Sequence, residues 1–531
     1  MKAHIFFSAG KLAKAIVILS FIFFIFLIYS YNSNSYAFTT PDEVVLKSFG
    51  EIYFETGKLY YGLGDELIGE YTRKRGTEVF YDKIIPTKFI GFPIYFGLLS
   101  GFGVYQYATA ITSVATLLVL FFIFRDLIGS DRKAFIPVGL LIFLPFFWYW
   151  SNYAFVENVS SIFFFSLGFY LFLVSLKEEK HIAGQHRLSA DLCCSADSKP
   201  TNKNQRIKLA YYDDLMLLLA FAFFGISISI RYDLIILLIS IFIPNFKKLF
   251  RLKWKKLILC GIVFLLFLSP SLISSKELYG GYFSYGENFI REKYDVQDNR
   301  SFQNVYSYFK QSFLFLPLFY LATFLGLIIF LEKKLKKNTK FFVYSYVIYF
   351  VLFSLLIILN NPLKHPNILH ESYTRYFLWF YISSVFFCSY FILHQINYKL
   401  KILLIFALVF LSVLSVTPIL ESKYSVMDSS EKINLRLLSL EYEFDYLLVG
   451  QSDKFLSKDL KTISVEHFVD KNREINYSKF GDFISNFSAD NSLAVYVAGL
   501  NIKAISDELS RKGLYLEELD KDLGLYRIKQ K

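Results

Sequence analysis

Long apolar runs constrain this chain more than any other feature. Phe21–Tyr29 and Leu257–Leu268 are two of them, and neither contains a charge. A bilayer core about 30 Å thick is crossed by roughly 17–25 predominantly apolar residues in a helix. By that measure the sequence predicts eleven spans: 13–30, 104–124, 134–151, 157–176, 212–229, 232–246, 256–273, 312–331, 341–359, 375–394 and 402–419. Hydrophobic residues make up 54% of the 531 residues and charged residues only 19%, against about 25% charged in ordinary soluble domains. A soluble enzyme, a disordered chain and a fibrous protein are all excluded. The first span follows Lys2, Lys11 and Lys14 and precedes a poor cleavage site, Ser30–Ser35, so it is expected to remain as a signal anchor.

The net charge of +12 invites a nucleic-acid partner, but the position of the lysines gives a different meaning. They crowd into short connections, Lys247-Lys248 to Lys255-Lys256 and Lys333-Lys334 to Lys336-Lys337. Under the positive-inside rule these connections are cytoplasmic. Eleven spans then leave the N-terminus in the cytoplasm and the C-terminal segment outside, in a multi-pass protein of the cell membrane. The charge records threading through the lipid bilayer, and no nucleic acid is expected as a partner. The apolar stretch Lys88–Gly101 is short and broken by Pro93 and glycines. It is expected to be interfacial or re-entrant, since counting it as a span would invert every later loop. Cys193, Cys194, Cys260 and Cys388 all fall in a cytoplasmic loop or in spans, so no external disulfide is available.

The expected fold class is an α-helical polytopic membrane protein of about eleven transmembrane helices, with a small extracytoplasmic α/β domain at the C-terminus. The membrane domain covers 1–419 and the C-terminal domain 420–531. A large external loop, 31–103, follows the first span. It opens with Thr40 as N-cap, Pro41 at the first helical position, Glu43 in a capping box and Gly57 as the stop, and this helix is expected along the membrane surface. In the C-terminal domain strands are expected at 446–450, 493–500 and 523–528, with a helix over 502–512. The polar loop 177–211 is expected to be flexible.

No soluble-enzyme motif is present. What stands out is ionisable residues beside the bilayer, which are costly there and functional by default. Asp42 and Glu43 open the surface helix, where the helix dipole alone would favour acids. Glu157 sits in a short turn after Trp148-Tyr149-Trp150. Arg231-Tyr232-Asp233 forms a turn with almost no loop, in which Arg231 can pair with Asp233. Arg375-Tyr376 opens the tenth span, after His365, His370 and Glu371. The two histidines are five apart with no third ligand at fixed spacing, so no metal site is indicated, although a divalent metal remains compatible. Asn-x-Ser triplets at Asn158, Asn299, Asn476 and Asn486 carry little weight, because chance produces them often. In the predicted threading every site residue lies on the external side. Cations there can hold a phosphate leaving group while a carboxylate takes an acceptor proton.

This order of motifs resembles the GT-C superfamily of polyprenyl-phosphate-sugar-dependent glycosyltransferases, in particular its protein mannosyltransferase and aminoarabinose transferase branch (glycosyltransferase family 39-like). The likeness covers about residues 10–395. It rests on the acidic pair after span one, the Lys88–Pro93 segment, Leu99-Ser100-Gly101-Phe102-Gly103, Glu157, Arg231–Asp233 and Arg375-Tyr376. The family's Lys-Pro-Pro string is replaced here by Lys88-Phe-Ile-Gly-Phe-Pro93, and the oligosaccharyltransferase string Trp-Trp-Asp-Tyr-Gly does not occur. The resemblance implies a single inverting displacement with a polyprenyl-phosphate sugar as donor and a glycan, lipid or protein as acceptor. Asp42 would be the general base, with Glu43 beside it. Glu157, Tyr376, His370 and Glu371 would line the acceptor or sugar pocket, and Arg375, Arg231 and Lys88 would bind the lipid phosphate. The competing class is a transporter or flippase of lipid-linked or saccharide substrates, which would call for mid-span charges and two related halves; neither is visible.

Overall fold

The computed structural model describes residues 9–31, 41–62, 77–80, 83–86, 88–191, 203–250, 254–284, 317–332, 337–360, 378–397, 399–414, 446–449, 462–464, 481–482, 484, 493–496, 501–521 and 524–530. It divides into two compact units. One comprises Met1–Ser30, Tyr107–Lys276 and Tyr294–Thr417; the other comprises Tyr31–Gln106, Glu277–Lys293 and Pro418–Lys531.

The first unit is helical. Each expected span is helical over its described residues: α1 (Ala9–Tyr29), α4 (Ala108–Ile128), α5 (Asp131–Phe143) with α6 (Pro145–Ser151), α7 (Glu157–Asp191), α8 (Lys203–Ile230), α9 (Ile235–Leu249), α10 (Trp254–Tyr279), α11 (Pro317–Glu332), α12 (Lys337–Asn360), α13 (Leu378–Gln395) and a helix over 399–414. The second unit holds α2 (Pro41–Thr56) and α3 (Gly91–Phe96). By length and composition three helices among the described residues can cross a membrane unaided, Tyr105–Ile128, Glu157–Leu176 and Trp254–Tyr279; the other apolar helices have shorter described apolar runs.

Two departures have local causes. The run 134–151 is two helices, because the residue before a proline is pushed out of the α region. Leu144 is accordingly extended, with φ −68° and ψ 124°, ahead of Pro145. The loop 177–211 is helical on both sides of 192–202, as α7 continues to Asp191 and α8 begins at Lys203. Lys177, Glu178, Glu179 and Lys180 are good helix formers and prolong a helix already nucleated in the span.

The interior of this unit is apolar, but its outer face is apolar as well. On α10 the exposed residues include Ile258, Ile262, Leu265 and Leu266, while Ser271 and Ser275 are buried. An outward apolar face is the expected surface when the solvent is hydrocarbon, and small or hydroxylated residues mediate contact between helices there. Ser227 Oγ on α8 donates to the Ser161 carbonyl on α7 (2.8 Å), and Thr323 Oγ1 on α11 to the Ser384 carbonyl on α13 (3.2 Å).

The second unit is built on the helix expected after the first span. α2 ends at Gly57, whose φ of +70° makes the left-handed stop. The helix does more than lie along a surface. Its Val45 and Phe49 are buried with Leu59, Ile85, Ile90, Ile94, Leu278 and Tyr279 in one core. The stretch 88–101 is α3 followed by a 3-10 turn, Gly97–Phe102, and Phe92, Pro93 and Ile94 are buried. A small antiparallel sheet, not expected from the sequence, joins β1 (Tyr61–Gly62), β2 (Thr77–Phe80) and β3 (Lys83–Pro86) in the order β1-β3-β2. The C-terminal part carries β4 (Tyr446–Val449), β5 (Thr462–Ser464), β6 (Leu493–Tyr496), α14 (Ile502–Arg511), β7 (Leu514–Asp520) and β8 (Leu525–Gln530). Its sheet runs β5-β4-β6-β8-β7, with β4 parallel to β5 and β6 and the remaining pairs antiparallel.

Helix packing in the first unit gives a direct test. A Cβ added at Gly326 on α11 would lie 1.9 Å from the Phe387 carbonyl oxygen on α13, and backbone has no rotamer by which to escape. Gly326→Val is expected to cost at least about 1–3 kcal/mol, read as a lower thermal midpoint of the detergent-solubilised protein. An unchanged midpoint would mean that these helices do not approach so closely.

Candidate functional site

Two groups of ionisable side chains stand out, one in each unit. The first is set by the core beneath α2. Tyr105 donates its hydroxyl to the Leu46 carbonyl at 2.5 Å. Gly50 leaves room for that ring, since a Cβ there would lie 2.0 Å from the Tyr105 hydroxyl, and Gly97 lies against the Gly50 carbonyl. These contacts fasten residues 88–105 along α2. They carry Lys88 to the first turn of α2, where its Nζ lies 3.2 Å from Asp42 Oδ1. Asp42 and Glu43 both occupy that first turn, where the helix dipole favours negative charge. Their environments differ: Asp42 is half-buried beside Lys88, whereas Glu43 is buried.

The second group lies where antiparallel helices exchange ends. α7 starts at Glu157, and α8 ends at Ile230, immediately before Arg231. The backbone N–H of Arg231 still bonds to the Ser227 carbonyl (3.0 Å), completing the last turn of α8. A 3-10 turn, Tyr232–Leu234, then leads into α9. Each charge therefore suits its position: Glu157 and Asp233 at helix starts, Arg231 at a helix end.

The Arg231 guanidinium grips Asp233 with two hydrogen bonds, Nε to Oδ1 at 3.0 Å and Nη2 to Oδ2 at 2.6 Å. Its Nη1 is 3.9 Å from Glu157 Oε1, and both side chains are only 3% exposed. Tyr349 of α12, also buried, lies near enough to Asp233 and Arg231 to feel both charges. Thr109 of α4 fixes the approach to Glu157 by donating to the Ala154 carbonyl (2.9 Å) and accepting from the Val156 N–H (3.0 Å). The flanking Trp150 and Tyr153 rings stack at 5.2 Å.

The structure thus pairs Asp42 with Lys88, and Arg231 with Asp233 and Glu157. His370, Glu371, Arg375 and Tyr376 lie outside the described residues. Sequence reasoning overlooked Thr109 and Tyr349. Each is an ordinary polar or aromatic residue within an apolar run, and nothing local marks either. Among the described residues no cluster of three or more His, Cys, Asp or Glu side chains could hold a metal ion.

The same turn carries unpaid polar groups. Among the described residues, Glu157 Oε2, Ser151 Oγ, Trp148 Nε1 and both amide atoms of Asn158 are buried without a hydrogen-bond partner. Each such group costs about 1–3 kcal/mol.

The architecture, a polytopic helical fold with a C-terminal α/β domain, is shared with a solved membrane protein. Among solved structures, ArnT from Cupriavidus metallidurans in the apo state is similar over 97% of this chain and 98% of its own, with 11% identity and a TM-score of 0.55. The structure of ArnT from the same organism bound to undecaprenyl phosphate aligns with 74% of this chain at 13% identity and a TM-score of 0.46, and the chain spans 63% of its length. No protein-family model and no curated protein matches the sequence.

The buried charges give a stability test. Removing one partner of a buried ion pair leaves its counter-charge unpaired, at about 3–5 kcal/mol. Arg231→Ala is expected to lose that much in thermal unfolding, and adding Glu157→Gln with Asp233→Asn should recover most of it. A single variant within about 0.5 kcal/mol of wild type would place the arginine at an ordinary surface position.

Proposed function

We propose that the protein is a membrane glycosyltransferase. It moves one sugar from a polyprenyl-phosphate-linked donor to an acceptor hydroxyl at the extracytoplasmic face. The observation that carries this reading is the contact between Asp42 and Lys88 at the first turn of α2. A carboxylate and an ammonium are the two groups that the displacement needs, and bound substrates part them, because the base and the leaving phosphate act on opposite sides of the anomeric carbon. The acceptor oxygen attacks the anomeric carbon and the bond from that carbon to the phosphate oxygen breaks. The electron pair leaves with the phosphate, and the acceptor proton passes to Asp42. Lys88 meets the charge growing on the departing phosphate, the kind of charge-assisted contact that strengthens as the bond breaks. One displacement inverts the anomeric centre.

The other residues take supporting roles in this scheme. Arg375 is the second phosphate cation. Glu43 shapes the region beside the base, and Tyr376, His370 and Glu371 border the acceptor. Arg231 is assigned away from the phosphate, because its guanidinium is already committed to Asp233 and Glu157. It serves instead to hold Glu157 in place. The GT-C-like fold supports the reading at the level of architecture. The crowding of lysines in the short loops supports the orientation, with the N-terminus cytoplasmic and the C-terminal domain outside.

The test uses purified full-length protein and a panel of polyprenyl-phosphate monosaccharides, with sugar release as the readout. Asp42→Asn is expected to lower transfer by about 10²–10⁴-fold, the usual weight of a positioned base, while donor binding persists. Equal turnover by wild type and variant would remove Asp42 from the role of base. If wild type consumed no donor in the panel, the transferase reading itself would fall.

A further inference from the structure

The transferase scheme leaves the amide of Asn158 without a task. Asn158 is 2% exposed and follows Glu157 in the first turn of α7. Its carbonyl is used, accepting from Ser161 Oγ at 2.8 Å. Its side chain is not: neither Nδ2 nor Oδ1 has a hydrogen-bond partner, and the adjacent Glu157 Oε2 is in the same condition. Two neighbouring buried side chains therefore present two acceptor oxygens and one amide donor that the chain itself does not use. Ser151 Oγ and Trp148 Nε1, from the helix just before the turn, add a hydroxyl and a second donor.

The charge balance narrows the ligand. Among the described residues the charges of this group are one arginine, Arg231, against two carboxylates, Glu157 and Asp233, a balance that disfavours a phosphate. What the group offers is an amide donor and acceptor oxygens on two residues adjacent in the chain. That set suits groups that both donate and accept, and hydroxyls do so. A site built to hydrogen-bond hydroxyls also rejects a ligand lacking them, because its own buried groups are then left unpaired.

We infer that Glu157 and Asn158 form a hydroxyl-reading subsite for a neutral sugar ring. Glu157 Oε2 accepts from one hydroxyl; the Asn158 amide donates to and accepts from a neighbouring one. The assignment rests on the transferase reading and deepens it. Asn158 is a specificity-determining residue for the sugar, separate from the phosphate contacts of Lys88 and from the base. The ring can belong to the donor or to the acceptor, since both carry the same chemistry.

Binding to the full-length protein in detergent separates the possibilities. The probes are undecaprenyl phosphate alone, an undecaprenyl-phosphate monosaccharide, and a phosphate-free alkyl glycoside of a neutral sugar. Asn158→Leu and Asn158→Ser are compared with wild type. The expected result is about tenfold weaker binding of a sugar-bearing probe, the effect of one lost hydrogen bond of about 1.4 kcal/mol, with undecaprenyl phosphate unaffected. Loss on the lipid-linked sugar places the donor ring in the subsite; loss on the glycoside alone places the acceptor there. Asn158→Leu should also keep or raise the thermal midpoint, because it removes an unpaired amide. Unchanged binding of both sugar probes, or equal weakening of all three, would overturn the assignment and leave the amide to water or to packing. If wild type bound no sugar probe, the subsite would fall as well. If it bound only the glycoside, with loss in the variants, the subsite would stand and the lipid-linked donor would fall.

Discussion

Hydrocarbon offers no hydrogen bonds, and most of this structure follows from that. Each backbone N–H and C=O within the bilayer must be satisfied inside its own segment, so the apolar runs become helices. Several hydroxyls on the helices are spent on nearby carbonyls, as Thr112 Oγ1 is on Ala108 and Ser113 Oγ on Thr109. Ionisable groups have no such outlet in mid-span. They collect where helices end, and there the partial charges of the helix termini favour acids at starts and bases at ends. The grouping of Glu157, Arg231 and Asp233 is this sorting made visible. It also accounts for the close fit of their signs to their positions.

The two ion-paired groups serve different ends. The contact of Lys88 with Asp42 is half-buried, and in the proposed scheme the donor phosphate exchanges for the carboxylate. The bidentate grip of Arg231 on Asp233 is buried and costly to break. The first resembles working machinery, the second a fixed frame. A buried arginine matched by two acids holds one carboxylate oxygen of Glu157 in place and leaves the other oxygen unused. Stability lost on an unpaired group is tolerated where a ligand later supplies the partner, and this turn concentrates several such groups.

Much of the fold was legible because lipid imposes a coarse code. Length and apolarity alone were enough to place the helices. The break at Leu144 was also written in Pro145 but hidden by the unbroken apolar run around it. The sheet over 61–86 was not legible, because its strands are only two to four residues long and too short to show a pattern. β7 was missed for another reason: Leu-Tyr-Leu-Glu-Glu-Leu-Asp is acidic and carries no clear alternation, so only its pairing with β8 makes it a strand. In the site, Asp42 and Lys88 stood out one by one as charges beside the membrane. Their contact needs Tyr105, Gly50 and Gly97, which look like nothing more than packing. The bond from Arg231 to Asp233 spans two residues and could be foreseen; the role of Tyr349, more than a hundred residues later, could not.

The same coarse code explains how a fold persists at 11% identity over nearly the whole chain. Among lipid-facing positions Leu, Ile, Phe and Val are interchangeable, since they meet a solvent as apolar as themselves. Selection on such positions acts on class and not on identity. Close contacts are stricter: where Gly326 meets the Phe387 carbonyl, no side chain fits. Strictest of all are polar groups removed from water, because each needs one partner in one geometry. Shared architecture therefore says little about shared substrate. Two proteins with this fold can differ in a handful of buried polar atoms, such as those of Glu157 and Asn158 here, while every helix stays in place.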